Sequence, residues 1–449
     1  MKQFFFLLLF SSIALGQASY DTVSAAIATE ALEANHAIGM LKELALGIGH
    51  RISGSPQADQ AVQWAKKTME QLQFDNVRLE PVMVPRWVRG PIEEVTLTYA
   101  GTIKKLNACA LGGSVGTPPE GITAEVVEVK SFQELASLGA TAKGKIVFYN
   151  RAFERRFINT FQGYGRAVDQ RWGGAIMAAR SGGVAWMIRS MSSSLNDFPH
   201  TGSMGYADTL PKVPGIAIST NDAEFLGRVL KTEKNVRVTV KLACQTLSDV
   251  RSYNVLGELR GTEKPDEVIV IGGHLDSWDK GQGAHDDGSG CVQSIEALRI
   301  LKSLGLKPKR TIRAVMFMNE ENGLRGGRGY ADTTRGKERH IAAVESDEGG
   351  FTPRGFGISD TAAYTKAKSW EPLFRAIGAD RFFIGGGGAD ISPMGRKGVP
   401  MFGLNVDSHR YFDYHHTDAD TFDKVNEREL ALGAACMAIL SYLIAQEGL

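Results

Sequence analysis

Cysteine is scarce in this chain, which excludes a scaffold held together mainly by disulfides. The 449 residues include four cysteines, Cys109, Cys244, Cys291 and Cys436. Cys291 and Cys436 lie on apolar faces of predicted helices, where a buried free thiol is the usual state. Cys109 and Cys244 fall in strand-like segments and could form a disulfide if those strands are neighbours.

The chain also lacks a charge excess, glycosylation sites and repeats. It carries 51 basic against 50 acidic side chains, whereas a nucleic-acid interface would need a clustered basic excess. We therefore expect no nucleic-acid partner. No Asn-x-Ser/Thr site occurs, so N-glycosylation is not expected. Internal repeats and low-complexity tracts are also missing.

Long apolar runs are confined to the N-terminus. Within residues 1–18, Lys2 is followed by an apolar run and then by small residues. This pattern predicts a signal peptide that is cleaved after Gly16 or Ala18. Export to a periplasm or to the outside of the cell is therefore expected. No later stretch reads as apolar enough to cross a bilayer, so no membrane span is expected after the signal is removed.

The stretch Val268–Gly290 organises the rest of the chain. It begins with the β-branched run Val268–Ile271, which predicts a buried strand. His274 and Asp276 follow the strand, and Asp286 comes after a glycine-rich loop, just before a predicted helix. The carboxyl ends of strands are where open α/β sheets hold ligands. Imidazole together with carboxylate suits zinc.

Three further buried-strand patterns also end in potential metal ligands. They are the runs 311–319, 341–344 and 399–406. The ligand-type residues that follow them are Glu320 and Glu321, then Glu345, Asp347 and Glu348, then His415 and His416. Four such strand ends in one α/β pattern predict a metal site rather than a solvated rim.

The order of elements predicts an α/β fold with a mostly parallel central sheet flanked by helices. We assign this sheet to residues 19–90 and 250–449. Residues 91–249 consist mainly of short strands, which predicts a separate inserted β-rich unit whose two ends lie close together. The arginine-rich and aromatic segment Arg151–Arg171 lies within it. We interpret this segment as a solvated element with a packed aromatic side, in preference to a substrate-gripping loop.

Several motifs resemble the two-zinc exopeptidase family, which includes secreted leucyl aminopeptidases, glutamate carboxypeptidases and carboxypeptidase Q. The resemblance covers most of residues 253–449, and two of the motifs, ESDEG and HHTDADT, favour the carboxypeptidase Q branch. It implies the zinc exopeptidase fold, a protease-associated-like inserted domain and compatibility with a homodimer. The motifs are NVLGEL (254–259), GGHLDS (272–277), DDGSG (286–290), NEENGLRGG (319–327), ESDEG (345–349) and HHTDADT (415–421).

The resemblance also implies roles for individual residues around two zinc ions per chain. Asp286 would bridge the metals and Glu320 would be the general base. Asp276 would accept the second N–H of His274 and so hold the ring in place. The remaining metal ligands would be His274 and Asp347 on one ion, and Glu321 and His416 on the other.

Neighbouring residues compete for some of these roles. Asp287 could replace Asp286 by a shift of one position, and His415 could replace His416. His416 is preferred because the family's ligand directly precedes Thr or Ser, as in His416-Thr417. His415 then occupies a position where relatives often carry Tyr. The oxyanion partner stays open among His415, Tyr414 and Tyr411.

The resemblance predicts an exopeptidase that hydrolyses dipeptides or short peptides with free termini. An aminopeptidase on longer peptides is an alternative. A single-zinc glutaminyl cyclase and a non-catalytic binding ectodomain are disfavoured, because all five ligand positions and Glu320 are filled. A free terminus needs a fixed counter-charge. Asp390 and Glu345 are candidates for an ammonium group, and Arg410 for a carboxylate.

Overall fold

The computed structural model describes residues 20–449, so the predicted signal peptide lies outside the described residues. Within this range the strands form two sheets of eight strands each. The strands are Asp75–Val88 (β1), Glu93–Tyr99 (β2), Thr102–Leu106 (β3), Ala108–Ala110 (β4), Ile122–Val129 (β5), Ile146–Tyr149 (β6), Ala185–Arg189 (β7), Gly215–Ile218 (β8), Arg237–Leu242 (β9), Gln245–Leu259 (β10), Lys264–His274 (β11), Arg310–Phe317 (β12), Arg339–Glu345 (β13), Pro353–Ile358 (β14), Arg381–Ile384 (β15) and Met401–Val406 (β16).

Helices flank both sheets. They are residues 20–34 (α1), His36–Lys42 (α2), Pro56–Gln71 (α3), Phe132–Ser137 (α4), Thr160–Gly165 (α5), Asp169–Trp172 (α6), Gly174–Arg180 (α7), Thr220–Thr232 (α8), Ser289–Ser303 (α9), Arg325–Asp332 (α10), Thr361–Lys368 (α11), Ser392–Gly395 (α12), Tyr411–Tyr414 (α13) and Glu427–Glu447 (α14). Helix α3 has a capped start, because the Ser55 side chain accepts the main-chain N–H of Ala58 and Pro56 is the first helical residue.

The central sheet has the strand order β1-β10-β12-β11-β13-β16-β14-β15. Its middle strands β12, β11, β13 and β16 are parallel, and antiparallel pairs flank them on both sides. Ile269 and Ile271 face the cluster that contains α9 and α14, whereas Val268 and Val270 face a second cluster with α10 and α12. Both faces are buried, which explains why β11 reads as a continuous apolar run. The predicted α/β class is confirmed.

A second sheet takes all its strands from residues 93–242, in the order β3-β2-β9-β5-β6-β7-β8-β4. The chain enters and leaves this unit through β1 and β10, which pair with each other so that Val88 lies opposite Gln245. The two ends of the unit are therefore adjacent, as an insertion requires. Its likeness to a protease-associated domain, and the domain limits at 90 and 250, stay predictions.

Asn35 separates α1 from α2, because it adopts a left-handed conformation with φ of 33°, which Asn tolerates better than most residues. One sequence expectation differs from the structure. The possible Cys109–Cys244 disulfide is absent, since all four cysteines are buried free thiols.

Helix α14 is long and apolar enough to cross a membrane by length and composition alone, and it is the one such helix within residues 20–449. The expectation that no later stretch is apolar enough to cross a bilayer is therefore wrong for Glu427–Glu447. However, 78% of its most apolar window is buried inside the protein, and α14 packs against α9. That burial is typical of a core helix.

Candidate metal centre

The potential ligands meet at the carboxyl edge of the central sheet because the parallel strands β11, β12 and β13 end there together. His274 is the last residue of β11. Glu320 and Glu321 follow β12, and Asp347 follows β13. His416 comes from the loop after α13, where it has a φ of 63°, a conformation that needs support from its surroundings. The structure thus brings together all five predicted ligands.

Asp286 lies in the middle of this group and faces both sides with a different oxygen. Its Oδ1 is 3.1 Å from Nε2 of His274, and its Oδ2 is 3.3 Å from Nε2 of His416. The same nitrogen of His274 is 3.3 Å from Asp347 Oδ1, and that of His416 is 3.1 Å from Glu321 Oε2. Two ligand clusters therefore share one carboxylate, which is the arrangement that a pair of metal ions needs.

The competing neighbours are placed differently. Asp287 is engaged by the main chain, since its Oδ2 accepts the N–H of His274 and its Oδ1 accepts the N–H of Gly290. Oδ2 of Asp286, by contrast, is buried and has no hydrogen-bond partner among the described residues. This favours Asp286 as the shared ligand, although Asp287 also lies within ligand distance of His274 and Asp347.

His415 stacks on His416, with 3.5 Å between ring centroids. Its Nε2 is 3.8 Å from Oδ2 of Asp286, so it faces the same centre. His415 and Tyr411 line the cleft in front of the ligands. Tyr414 does not line this cleft and stacks on His285 instead, so the oxyanion candidates narrow to His415 and Tyr411.

The contact expected between the Asp276 carboxylate and His274 is not the one observed. Nδ1 of His274 donates to the main-chain oxygen of Asp276 at 2.9 Å, while the carboxylate Oδ1 is 4.0 Å away. That carboxylate accepts the main-chain N–H groups of Asn319 and Glu320 instead. Asp276 therefore fixes the ring of His274 through its main chain and positions the two glutamates through its side chain.

Two supporting residues were not identified from the sequence. Asp420 accepts the main-chain N–H groups of His285 and Asp286 with its two oxygens. Arg51 is fully buried and donates to the carbonyls of Leu275, Gln282 and Gly283, which belong to the loop that carries Asp286. Asp420 lies within the motif HHTDADT (415–421), which could have pointed to it. Arg51 lies in no motif, and no local signal in the sequence points to it.

Glu320 is half-buried and lines the cleft, whereas Glu321 is buried. Burial away from water, together with the carboxylates of Asp347 and Asp286, raises the pKa of Glu320 to about 8. Burial and the Asp286 carboxylate raise the pKa of Glu321 well above its usual range. Several carboxylates this close together repel one another, so they need a nearby positive charge to stay ionised.

The residues present fit zinc. Two imidazole nitrogens and three carboxylates surround the centre, and these are the nitrogen and oxygen donors that zinc accepts. Three groups of potential ligands overlap here, and within each group the ligand atoms lie within 4.8 Å of one another. The groups are His274, Asp286 and Glu321; His274, Asp287 and Asp347; and Asp286, His415 and His416. The buried Asp286 oxygen without a partner is explained if it binds a cation.

The residues suggested for a substrate terminus do not face the cleft. Glu345 and Asp390 are buried, and Glu345 accepts the main-chain N–H groups of Asp390 and Ile391. Arg410 lies outside the cleft, where it pairs with Glu429. In contrast, Tyr164 and Arg171 of the segment Arg151–Arg171 do line the cleft. The packed aromatic side expected for that segment is present, since Phe153 and Phe161 pack on Phe412, but the C-terminal half of the segment lines the cleft rather than being solvated.

Comparison with known proteins identifies a family and relatives of this chain. The model of peptidase family M28 matches residues 254–440. Carboxypeptidase Q of Mus musculus is 36% identical over 433 residues, which cover 95% of this chain and 90% of the relative.

Two solved structures extend the comparison. The M28 peptidase precursor of Shewanella amazonensis SB2B is 34% identical, with a TM-score of 0.90 over 96% of this chain and 98% of its own. BSAP, a zinc aminopeptidase from Bacillus subtilis, has a TM-score of 0.68 and 23% identity, over 93% of this chain and 97% of its own. The latter likeness shows the fold alone.

Proposed function

The chain belongs to peptidase family M28 and is a zinc-dependent exopeptidase, and from this premise we propose that it hydrolyses dipeptides and short peptides with free termini. The observation that carries this proposal is the cleft in front of the ligands. It has a volume of about 500 Å³, which lies in the range of small-molecule sites. The level of identity to carboxypeptidase Q supports the same substrate class.

Both units of the chain form the walls of this cleft. Glu320, Asp347 and Tyr411 come from the part that contains the central sheet, and Tyr164 and Met204 come from the second unit. A cleft enclosed in this way suits a short substrate better than the middle of a long chain. A larger cleft of about 840 Å³ lies elsewhere and contains none of the predicted ligands.

Zinc ions held here would polarise the scissile carbonyl and make an attacking water more acidic. We propose two ions per chain, because Asp286 faces one ligand cluster with each of its oxygens. The Glu320 carboxylate would take a proton from the attacking water and pass it to the leaving amine.

Export and homodimerisation complete the proposal. The apolar sequence of residues 1–18 supports export. Homodimerisation rests on the family resemblance alone.

The proposal is tested with purified zinc-loaded protein and four matched substrates: one dipeptide, its N-acetyl form, its C-amide and the doubly blocked form. We expect hydrolysis of the free dipeptide and little hydrolysis of the doubly blocked form. Equal rates on all four would contradict a requirement for free termini. Loss from the N-acetyl form alone would indicate an aminopeptidase.

A further inference from the structure

Arg171 is a buried cation in the wall of the active cleft. Arg171 is only 6% exposed, and it lines the same cleft as Glu320 and His416. Its Nε donates to the main-chain oxygen of Ser203 at 3.1 Å, and its Nη2 donates to the Tyr164 hydroxyl at 2.8 Å. These two bonds and the Tyr164 ring under the guanidinium fix the orientation of the group.

The other end of the guanidinium has no acceptor. Nη1 of Arg171 is 3.4 Å from Nδ1 of His416. Nδ1 of His416 is also 3.3 Å from the main-chain oxygen of Thr201, and its Nε2 faces Asp286 and Glu321. If Nε2 is the ligand atom, Nδ1 carries the hydrogen and donates to Thr201. It then cannot accept from Arg171, and the Nη1 hydrogens stay unused.

Arg171 also lacks a counter-charge. It forms no ion pair with any carboxylate in the part of the chain that the structure describes, residues 20–449, whereas Arg89, Arg299 and Arg313 each do. Arg51, which is also buried and unpaired, differs because main-chain carbonyls accept from its Nε and from both of its terminal nitrogens. An unpaired buried cation is costly. Because Arg171 lines the substrate cleft, its unused Nη1 hydrogens are suited to bind a carboxylate.

We propose that Arg171 binds the free C-terminal carboxylate of the substrate and so determines its specificity. This inference rests on the proposed function and identifies the group that binds the C-terminus of the substrate. The guanidinium contacts His416, a predicted ligand. One residue spans at most about 3.6 Å of chain, so a carboxylate bound there belongs to the first residue beyond the scissile bond. The released product is then a single C-terminal amino acid.

One other arginine of the cleft is a rival for this role. Arg328 lines the cleft but is exposed, as expected for a residue at its rim. Because an exposed charge is screened by water, it contributes less to binding than a buried one. Arg410, which the sequence suggested, is paired with Glu429 outside the cleft. Both therefore serve as matched comparisons.

The experiment measures kcat and KM of the zinc-loaded enzyme on a dipeptide and on its C-amide. The variants are Arg171→Met, Arg171→Lys, Arg328→Met and Arg410→Met, and the zinc content of each is determined. We expect the wild type to prefer the free acid on the order of 10- to 100-fold in kcat/KM, the size of charged hydrogen bonds. Arg171→Met should lose that preference through a higher KM for the free acid, and its kcat/KM on the amide should fall much less than its kcat/KM on the free acid.

Arg171→Lys should retain part of the preference, and Arg410→Met all of it. Three results overturn the inference while the proposed function stands: equal wild-type rates on acid and amide, loss of preference in Arg328→Met instead, or loss of both substrates and of zinc in Arg171→Met. The last result would mean that Arg171 merely supports His416. If the wild type cleaves no dipeptide at all, the proposed function fails and the inference falls with it.

Discussion

The carboxylate of Asp276 accepts the main-chain N–H of Glu320 at 3.1 Å. It also accepts the N–H of Asn319 at 2.7 Å. Side chains at adjacent strand positions point to opposite faces, so Glu320 and Glu321 can serve one site only after the strand has ended. Asp276 holds the chain in the turn that makes this possible.

Asp276→Ala is the first test of this role. It leaves two buried N–H groups without an acceptor, and each costs about 1–3 kcal/mol. We expect a lower unfolding temperature and a loss of activity on the order of 10- to 100-fold. Asp276→Asn retains one oxygen acceptor and should be affected less. Equal behaviour of the two variants would show that the charge matters rather than the hydrogen bonds.

Glu320 and Glu321 should respond differently to the same substitution. Glu320→Gln keeps the size of the side chain but removes the base, so it should keep its zinc and lose roughly 100- to 10,000-fold in kcat. Glu321→Gln replaces an anionic ligand by a weak neutral one and should lose zinc as well as rate. Zinc content and turnover are measured side by side. A reversed pattern would mean that the assignment is shifted by one residue.

Removal of zinc should reduce both activity and stability. The predicted centre places the buried carboxylates of Asp286 and Glu321 and the half-buried carboxylate of Asp347 around His274, and bound cations offset their repulsion. A chelator should abolish peptidase activity and lower the unfolding temperature, and added zinc should restore both. Full activity of metal-free protein would refute the metal assignment.

Arg51 should be essential for the loop that carries Asp286. Its guanidinium donates to three main-chain oxygens of that loop region, and a hydrogen bond to a charged group contributes about 1.5–3 kcal/mol. Arg51→Met should therefore destabilise the fold by about 3 kcal/mol or more and weaken zinc retention. Arg86, which is exposed, provides the control Arg86→Met. Similar unfolding curves for the two variants would contradict this role.

Gly112 should tolerate no side chain, because the Trp278 ring occupies the space beside it. A Cβ at Gly112 would lie 1.8 Å from the nearest atom of that ring. Since Trp278 packs edge-on to His416, Gly112→Ala should disturb the metal centre as well as cost about 1–3 kcal/mol by overpacking. The control is Gly39→Ala in α2, where a Cβ meets no atom within 4 Å. Unchanged stability and zinc affinity in Gly112→Ala would refute the prediction.

Much of the metal centre could be predicted because local pattern and topology carry it. Runs such as Val268–Ile271 predict buried strands, and the carboxyl ends of parallel strands meet at one edge of a sheet. Ligand-type residues that follow those strands must therefore be neighbours. The resemblance then assigned individual roles, and the structure places His274, Asp286, Glu321, Asp347 and His416 together.

By itself, the sequence determined the fold class and the ligand-bearing strand ends, since hydrophobic periodicity is a local property. The tertiary structure alone decided which groups complete the cleft. Arg171 and His416 are 245 residues apart in the chain and come from different units, yet they are in contact. Arg410 is only six positions before His416, but it lies outside the cleft and pairs with Glu429. Such contacts depend on how two separately formed sheets pack against each other, which no periodicity along the chain records.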